Sequence, residues 1–539
     1  MPVLTSARAL VIVHTLSPVT SGLRPLFGVA AIVCLTVAYV SMTQGPGWNQ
    51  NSHYALTRAL ADGTTIIDRT RYETGKWYVT GDISVFRGHT YSNKAPGFAF
   101  ANLPAFEVMK AADGAPPRID DSGQLWFLGL WTVVLPAAVL LFLVRKVANV
   151  LEPGYGTAAA VMLGVATLVL PFATLFFSHL LSAVLCFGAF TVLWLEWRGP
   201  PRLPLVAAAG LLAGYSITTE FPNALIAAIL GLAVFARPDR VRRALAYGAG
   251  AVVGLVPLLL YNRAAFGSPF HLSYQSTVGF GSTNSLFLTT PSFRRLVDVL
   301  FAPVGVVRTT PILVLAVVGV ITLYRRGHRF EATVISAVVL AFLFFEASYV
   351  TAFGGSSPGP RQLIPALPFV AVALASAFRR MPLTTIALAW VSTVEMVAAT
   401  ITPPLDYSES VANWFHQIGI GNFSGTVLSF FGPAPLDRNA FPESGHWYDL
   451  LVFLVPLALG VALAAAELGS VRLRRDDAIR AFAALIGWLL VQREGPKLLY
   501  GGGFAASKAA PVVVLAIAAA AAIGASALPA LLTLRRPST

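Results

Sequence analysis

Cysteine is almost missing from this chain, with two among 539 residues. That excludes a disulfide framework, and Cys34 and Cys186 both fall in apolar runs, where a free thiol behaves as a small apolar side chain. Charge is scarce as well, at 12% of residues against 56% hydrophobic. A soluble fold could not hide that much apolar surface, so the chain reads as a membrane protein. Acidic residues are the scarcer sign, 25 against 38 basic, which leaves a formal net charge of +13. The basic residues lie in pairs between apolar runs rather than in one patch, which excludes nucleic-acid binding and reads as a topogenic signal. The start has no short apolar core ending at a small-residue cleavage site, so the first apolar run is expected to stay as a helix. No internal repeat is visible, which argues against a transporter built from matched halves.

Long apolar runs are abundant, with a mean hydropathy of +0.70. Windows of about 20 residues place spans near 26–43, 125–144, 155–173, 179–196, 203–219, 221–236 and 243–261. Others fall near 310–324, 331–350, 362–378, 383–401, 448–467, 479–492 and 509–533. The expected fold is therefore an all-α polytopic integral membrane protein of roughly 12–14 helices, with short interfacial helices in its external loops. Arginine pairs such as Arg145 with Lys146, Arg325 with Arg326 and Arg379 with Arg380 recur in alternate short loops. By the positive-inside rule those loops, and both termini, are cytoplasmic. The chain divides into a cytoplasmic start (1–25), a membrane region (26–401) that includes an external loop at 44–124, a second external loop (402–447), and C-terminal helices (448–539). The loops assigned outside carry most of the non-membrane length, so the work is expected at that face of the cytoplasmic membrane.

The first external loop holds the densest set of polar groups. Residues 52–60 have helical spacing with Tyr54, Leu56, Ala59 and Leu60 on one side, expected to lie on the bilayer surface, and Asp62-Gly63 ends the helix. Two aspartates follow in non-helical context, Asp68 and Asp82. One carboxylate near an acceptor hydroxyl suffices as general base for a group transfer. Asp82, flanked by glycine and followed by an alternating stretch, is preferred over Asp68; either could equally cap a turn or pair with Arg69, Arg71 or Arg87. Lys94 precedes Ala95-Pro96-Gly97 and could neutralise a phosphate or snorkel to lipid headgroups.

The run Asn49-x-Asn51-Ser52-x-Tyr54-x-Leu56, then Gly63, then Gly88-x-x-Tyr91-Ser92-x-Lys94-x-Pro96 resembles the first external loop of GT-C class membrane glycosyltransferases. It is closest to the aminoarabinose transferase and protein O-mannosyltransferase branch. In that branch an Asp-Glu pair opens the loop and a Tyr-x-x-Lys-x-Pro element closes it. Tyr91, Lys94 and Pro96 match the closing element, whereas amides and a hydroxyl stand where the family has acids. The departure moves the expected base to Asp82 or Asp68. It also leaves no paired carboxylates for a hard cation, so no cofactor or metal is implied.

The resemblance implies transfer of a sugar from a polyprenyl-phosphate donor, arriving from membrane lipid, to a glycan, lipid or protein acceptor. Asn51, Tyr54, His89, Tyr91 and Lys94 are the expected binding residues in the first loop. His179 at the start of a span, Glu220 at an external hairpin, and Asn262, Arg263 and Arg308 further along extend the set. Each has a bland alternative, as a helix-end, interfacial or anchoring group. Gly354-Gly355-Ser356-Ser357-Pro358-Gly359-Pro360-Arg361 lets backbone approach a ligand and sets Arg361 at a helix start, a candidate for lipid phosphate or for loop carbonyls. No Gly-Lys-Ser/Thr follows, so it is not a nucleotide loop. In the second external loop, Trp414 and its neighbouring phenylalanines are candidates for stacking on an acceptor sugar. The rival readings are a transporter or lipid flippase, which would need ionisable groups deep within several spans, and an inactive lipid-binding scaffold of the same fold.

Overall fold

A computed structural model describes residues 24–70, 80–113, 122–278, 287–350, 353–405, 411–430, 446–469 and 474–494. The expected span near 509–533, both termini and much of the 402–447 loop lie outside the described residues.

The described chain is a helical bundle. Seven helices are long and apolar enough to cross a membrane, and eight if the pair Phe293–Thr309 and Pro311–Arg325, bent by 93°, is counted as one broken span. The long ones relevant to the site are α4 (Gly123–Leu151), α6 (His179–Arg198), α9 (Arg240–Phe266), α12 (Arg329–Ser348) and α14 (Pro382–Ile401). Shorter apolar helices fill the gaps: α1 (Arg24–Ser41), α5 (Gly156–Val165), α7 (Leu203–Thr219) and α8 (Ala224–Ala233). The expected run at 155–173 is broken, because α5 ends at Val165 and a separate turn covers Val169–Phe172.

The tightest helix pair is α7 with α9. Gly210 and Gly214 on one face meet Gly250 and Gly254 on the other, and a Cβ on Gly210 would overlap the carbonyl oxygen of Tyr247. This small-xxx-small pattern lets backbones touch where lipid tails offer no hydrophobic drive to associate. Thr218 Oγ1 adds a bond across the pair to the carbonyl oxygen of Gly254, at 2.9 Å.

Polar structure gathers at one end of this bundle. Helix α2 (Trp48–Ala61) and helix α3 (Gly97–Asp113) flank a hairpin of β2 (Ile83–Phe86) and β3 (His89–Ser92). Strand β1 (Met42–Thr43), just after α1, pairs with β4 (Gly425–Thr426) and so ties the second loop to the first. Contrary to the surface helix expected at 52–60, every residue of α2 from Asn49 to Ala59 is buried. Its apolar side was legible, but its polar side faces the hairpin and α3 instead of water or headgroups. Trp414, in helix α15 (Val411–Gly419), is also fully buried and packs into the core.

Candidate functional site

Asp82 and Lys94 are neighbours because of the hairpin register. Ile83 stands opposite Ser92 and Phe86 opposite His89, joined by Arg87-Gly88, both left-handed with φ of 50° and 83°. That is the backbone a two-residue hairpin turn with right-handed strand twist demands. Asp82 then falls opposite Asn93, whose N–H points to the Asp82 carbonyl at 3.4 Å. Lys94 Nζ pairs with Asp82 Oδ2 at 2.8 Å, with both side chains largely enclosed.

The foot of the hairpin is pinned to α2. Ser52 Oγ donates to the Asp82 carbonyl at 2.6 Å and lies 2.7 Å from Ser92 Oγ. Thr80 Oγ1 receives the Asp82 N–H at 3.0 Å and donates to the Trp48 carbonyl at 2.7 Å. On the far side, Ser84 Oγ donates to the Ser273 carbonyl, and Ser273 Oγ to that of Asn93, at 2.6 and 2.8 Å. Residues distant in sequence thus fix one short segment of backbone.

The start of α3 brings Glu220 to this segment. Gly97 packs so closely on the end of α7 that a Cβ there would stand 2.6 Å from the Thr218 carbonyl oxygen, and the Tyr215 hydroxyl donates to the Gly97 carbonyl at 3.0 Å. Glu220, which ends α7, accepts a bond from Ser178 Oγ, and its Oε1 lies 3.6 Å from His179 Nδ1. His179 stacks on Phe177, with ring centres 5.6 Å apart, and the Arg361 guanidinium sits 5.3 Å from the same Phe177 ring. Arg361 also donates to the carbonyls of Ser356, at 3.4 Å, and Gly354. Gly354 and Gly355 have φ of 74° and 100°, a conformation that side chains avoid, and this wraps the loop around the guanidinium.

Several groups between these cations are buried and unsatisfied. Neither ring nitrogen of His53 or His179, neither amide atom of Asn51, neither oxygen of Glu346 and not the Arg361 Nε has a hydrogen-bond partner. Lys94 and Arg361 both act electrostatically on His53, His179 and Glu220, which places all five around one centre. Burial first, then Lys94 and Arg361, hold the His53 imidazole well below its usual value, so it is neutral at pH 7.

The opposite end of the bundle is built differently. Glu152 is met by Arg326 at 2.5 Å, Arg379 at 3.0 Å and the Ser376 hydroxyl at 2.7 Å. Glu196 is held by Arg243 and Arg237, and Glu331 by the Trp194 indole N–H at 2.8 Å with Arg198 at 3.4 Å. Buried carboxylates there are neutralised within the protein, as burial of charge requires. Buried polar groups normally find partners, so orphans concentrated at one end mark where a polar ligand belongs.

Of the residues expected from the sequence, Asp82, Lys94, His179, Glu220, Arg361 and Asn51 occupy or border this cluster. The remainder are used elsewhere. Asp68 pairs with His89 at 2.9 Å and accepts the Thr90 N–H at 2.7 Å, in a half-exposed position. Burial pushes its carboxyl up, and those two bonds outweigh it and pull the carboxyl below its usual value. The Tyr54 hydroxyl donates to Gln124 at 2.7 Å, and Tyr91 packs on Phe266 with ring centres 5.1 Å apart. Asn262 donates to the Pro269 carbonyl at 3.1 Å and Arg263 to that of Gly267. Arg308 binds the Pro303 carbonyl at 2.8 Å and Gln492 at 2.7 Å.

The cluster also contains His53, Glu346, Tyr274 and Tyr349, which the sequence reading did not assign. A lone carboxylate in the apolar run Leu343-Phe344-Phe345-Glu346 was the available signal for one of them, since an ionisable group in a span is functional by default. Among the described residues no three His, Cys, Asp or Glu side chains converge as a metal-ligand set.

Fold and site define a polytopic helical membrane protein with a cation-bearing cluster of buried polar groups at one end of its bundle. No family model matches the sequence, and no curated protein is similar to it. Among solved structures it overlays on ArnT from Cupriavidus metallidurans in the apo state with a TM-score of 0.47 and 16% identity, over 87% of this chain and 80% of that one. The same protein bound to undecaprenyl phosphate gives 0.46 and 14% over the same shares. The Archaeoglobus fulgidus oligosaccharyltransferase tethered with an acceptor peptide gives 0.45 and 13%, over 89% of this chain and 59% of that longer one.

Proposed function

We propose that this protein transfers a sugar from a polyprenyl-phosphate donor to an acceptor hydroxyl at the outer face of the cytoplasmic membrane. The observation that carries this reading is the set of buried, unpartnered polar groups around Lys94 and Arg361 at one end of a bundle whose other end is internally neutralised. The neutralised end also carries Arg237, Arg240, Arg325, Arg326, Arg379 and Arg380, so the positive-inside rule supports placing it in the cytoplasm and the pocket outside.

In this mechanism the donor arrives laterally from lipid and its phosphate sits between Lys94 and Arg361, where the unpartnered rings of His53 and His179 can each donate one N–H. Lys94 is shared between that phosphate and Asp82, so donor binding loosens the ion pair and exposes an Asp82 oxygen. Asp82 takes the proton from the acceptor hydroxyl as its oxygen attacks the anomeric carbon, and the bond from that carbon to phosphate oxygen breaks. The bonding electrons leave with the polyprenyl phosphate. Charge grows on the phosphate as this bond stretches, and fixed cations there lower the barrier more than they stabilise the bound donor.

The test is transfer of labelled sugar from a panel of polyprenyl-phosphate sugars by the full chain in lipid, comparing wild type with Asp82→Asn, Asp68→Asn and Arg361→Ala. Turnover abolished in Asp82→Asn with donor binding retained, weakened binding in Arg361→Ala and near-normal transfer in Asp68→Asn support the reading. Donor binding without turnover in wild type points to a lipid-binding scaffold. Neither binding nor turnover returns the protein to the transport reading.

A further inference from the structure

Glu346 lies near the end of α12, fully enclosed, with both carboxyl oxygens unpartnered. The cation that acts on it is Arg361, whose guanidinium is turned to the carbonyls of Gly354 and Ser356 and to the face of Phe177. Glu152, Glu196 and Glu331 at the other end of the bundle each take bonds from arginine. Glu346 departs from that pattern, and both its oxygens remain available for hydrogen bonds.

An aromatic wall adjoins it. Tyr349 lies 5.4 Å from Phe345 and 6.2 Å from Phe287, Phe287 lies 4.8 Å from Tyr274, and Tyr274 lies 5.1 Å from Phe221, the neighbour of Glu220. Phe287 holds a left-handed backbone with φ of 58°, unfavourable for a bulky residue. It is kept there by the Val350 N–H on its carbonyl at 3.0 Å and by the bridge from Leu288 to Tyr349. Strain of this kind gathers at ligand sites. Tyr274 and Tyr349 both lie in the fields of Asp82, Glu220 and Arg361, so the wall faces the same centre as the cations. Aromatic faces beside two unpartnered carboxyl oxygens suit a sugar ring, whose C–H face packs on the former while adjacent hydroxyls hydrogen-bond to the latter.

We propose that Glu346, with Tyr274 and Tyr349, forms the subsite that holds the hydroxyls of the transferred sugar, and so determines which sugar is accepted. This rests on the transferase reading above. Arg361, the phosphate contact in that reading, is the cation in whose field Glu346 lies.

The experiment measures binding of farnesyl phosphate and of its mannosyl, glucosyl, galactosyl and arabinosyl conjugates to the full chain in lipid nanodiscs, for wild type, Glu346→Ala and the near-isosteric Glu346→Gln. Wild type is expected to bind at least one conjugate more tightly than farnesyl phosphate. Glu346→Ala should weaken that conjugate by about tenfold or more, as for loss of buried hydrogen bonds, and leave farnesyl phosphate unchanged. Glu346→Gln, which preserves shape if the alanine variant fails to fold, should narrow the preference among sugars. Equal losses for conjugate and bare phosphate would show that Glu346 only positions Arg361, and no loss would show no contact; either overturns the subsite. A wild type that binds farnesyl phosphate but no conjugate more tightly overturns it too, while leaving the phosphate site standing. Failure to bind any of these probes, farnesyl phosphate included, removes the transferase reading and the subsite with it.

Discussion

Replacing one partner of the Asp82–Lys94 pair separates stability from chemistry. The charges are 2.8 Å apart with side chains 11% and 12% exposed. At an effective dielectric near 20 their gross attraction is about 6 kcal/mol, most of it cancelled by the desolvation of both groups. Asp82→Asn leaves an enclosed ammonium without a counter-charge, a change that typically costs about 3–5 kcal/mol. Lys94→Met leaves the carboxylate in the same position. The double variant removes both charges and is expected to recover most of the loss. Thermal midpoints in a fixed detergent rank the four proteins, and single-turnover transfer from a polyprenyl-phosphate sugar measures the chemistry. Transfer should fall by about 10²–10⁴-fold in Asp82→Asn, as for loss of a general base, and stay low in the double variant although its stability returns. Recovery of turnover together with stability would refute Asp82 as the base. Additive destabilisation in the double variant would refute the pair itself.

Two further outcomes follow from the packing. Gly250→Leu drives a side chain into the Ala207 carbonyl at the α7–α9 contact, so the variant should lose folded yield, read by size-exclusion profile after membrane extraction; a normal profile would refute the close backbone contact. Asp68, with its carboxyl held below the usual value by His89 and Thr90, contributes stability that is present above the unfolded value of about 3.9 and is lost as pH falls through its folded value. The thermal midpoint of wild type should therefore exceed that of Asp68→Asn at neutral pH and converge with it in acid, and a gap that widens in acid would contradict this.

Helical, polytopic character was legible from the sequence because burial in lipid demands long apolar runs, and few charges interrupt them here. Arg361 and its glycine loop were legible for a related reason: positive φ and a lone cation beside a helix start leave marks in the chain itself. The alternating stretch after Asp82 was also visible, and the Arg87-Gly88 turn explains it. Helix α2 was misplaced because hydrophobic spacing reports which side is apolar and says nothing of what covers the polar side. The burial of Trp414 was not legible for the same reason, since an aromatic residue among glycines and prolines has the same sequence signature whether it packs inward or faces water.

By itself, then, the sequence determined the membrane class, the approximate spans and a roster of chemically able residues, because these depend on local composition and period. Which residues meet was decided by tertiary structure. The hairpin register sets Lys94 on Asp82, the glycine contact of α7 with α9 and the seat of Gly97 on Thr218 bring Glu220 alongside, and α12 delivers Glu346 to the same cluster. The same contacts leave Asp68 with His89 and Arg308 with Gln492. Such meetings depend on packing between segments far apart in the chain, and burial without a partner, the property that marks this site, exists only once those segments have closed around it.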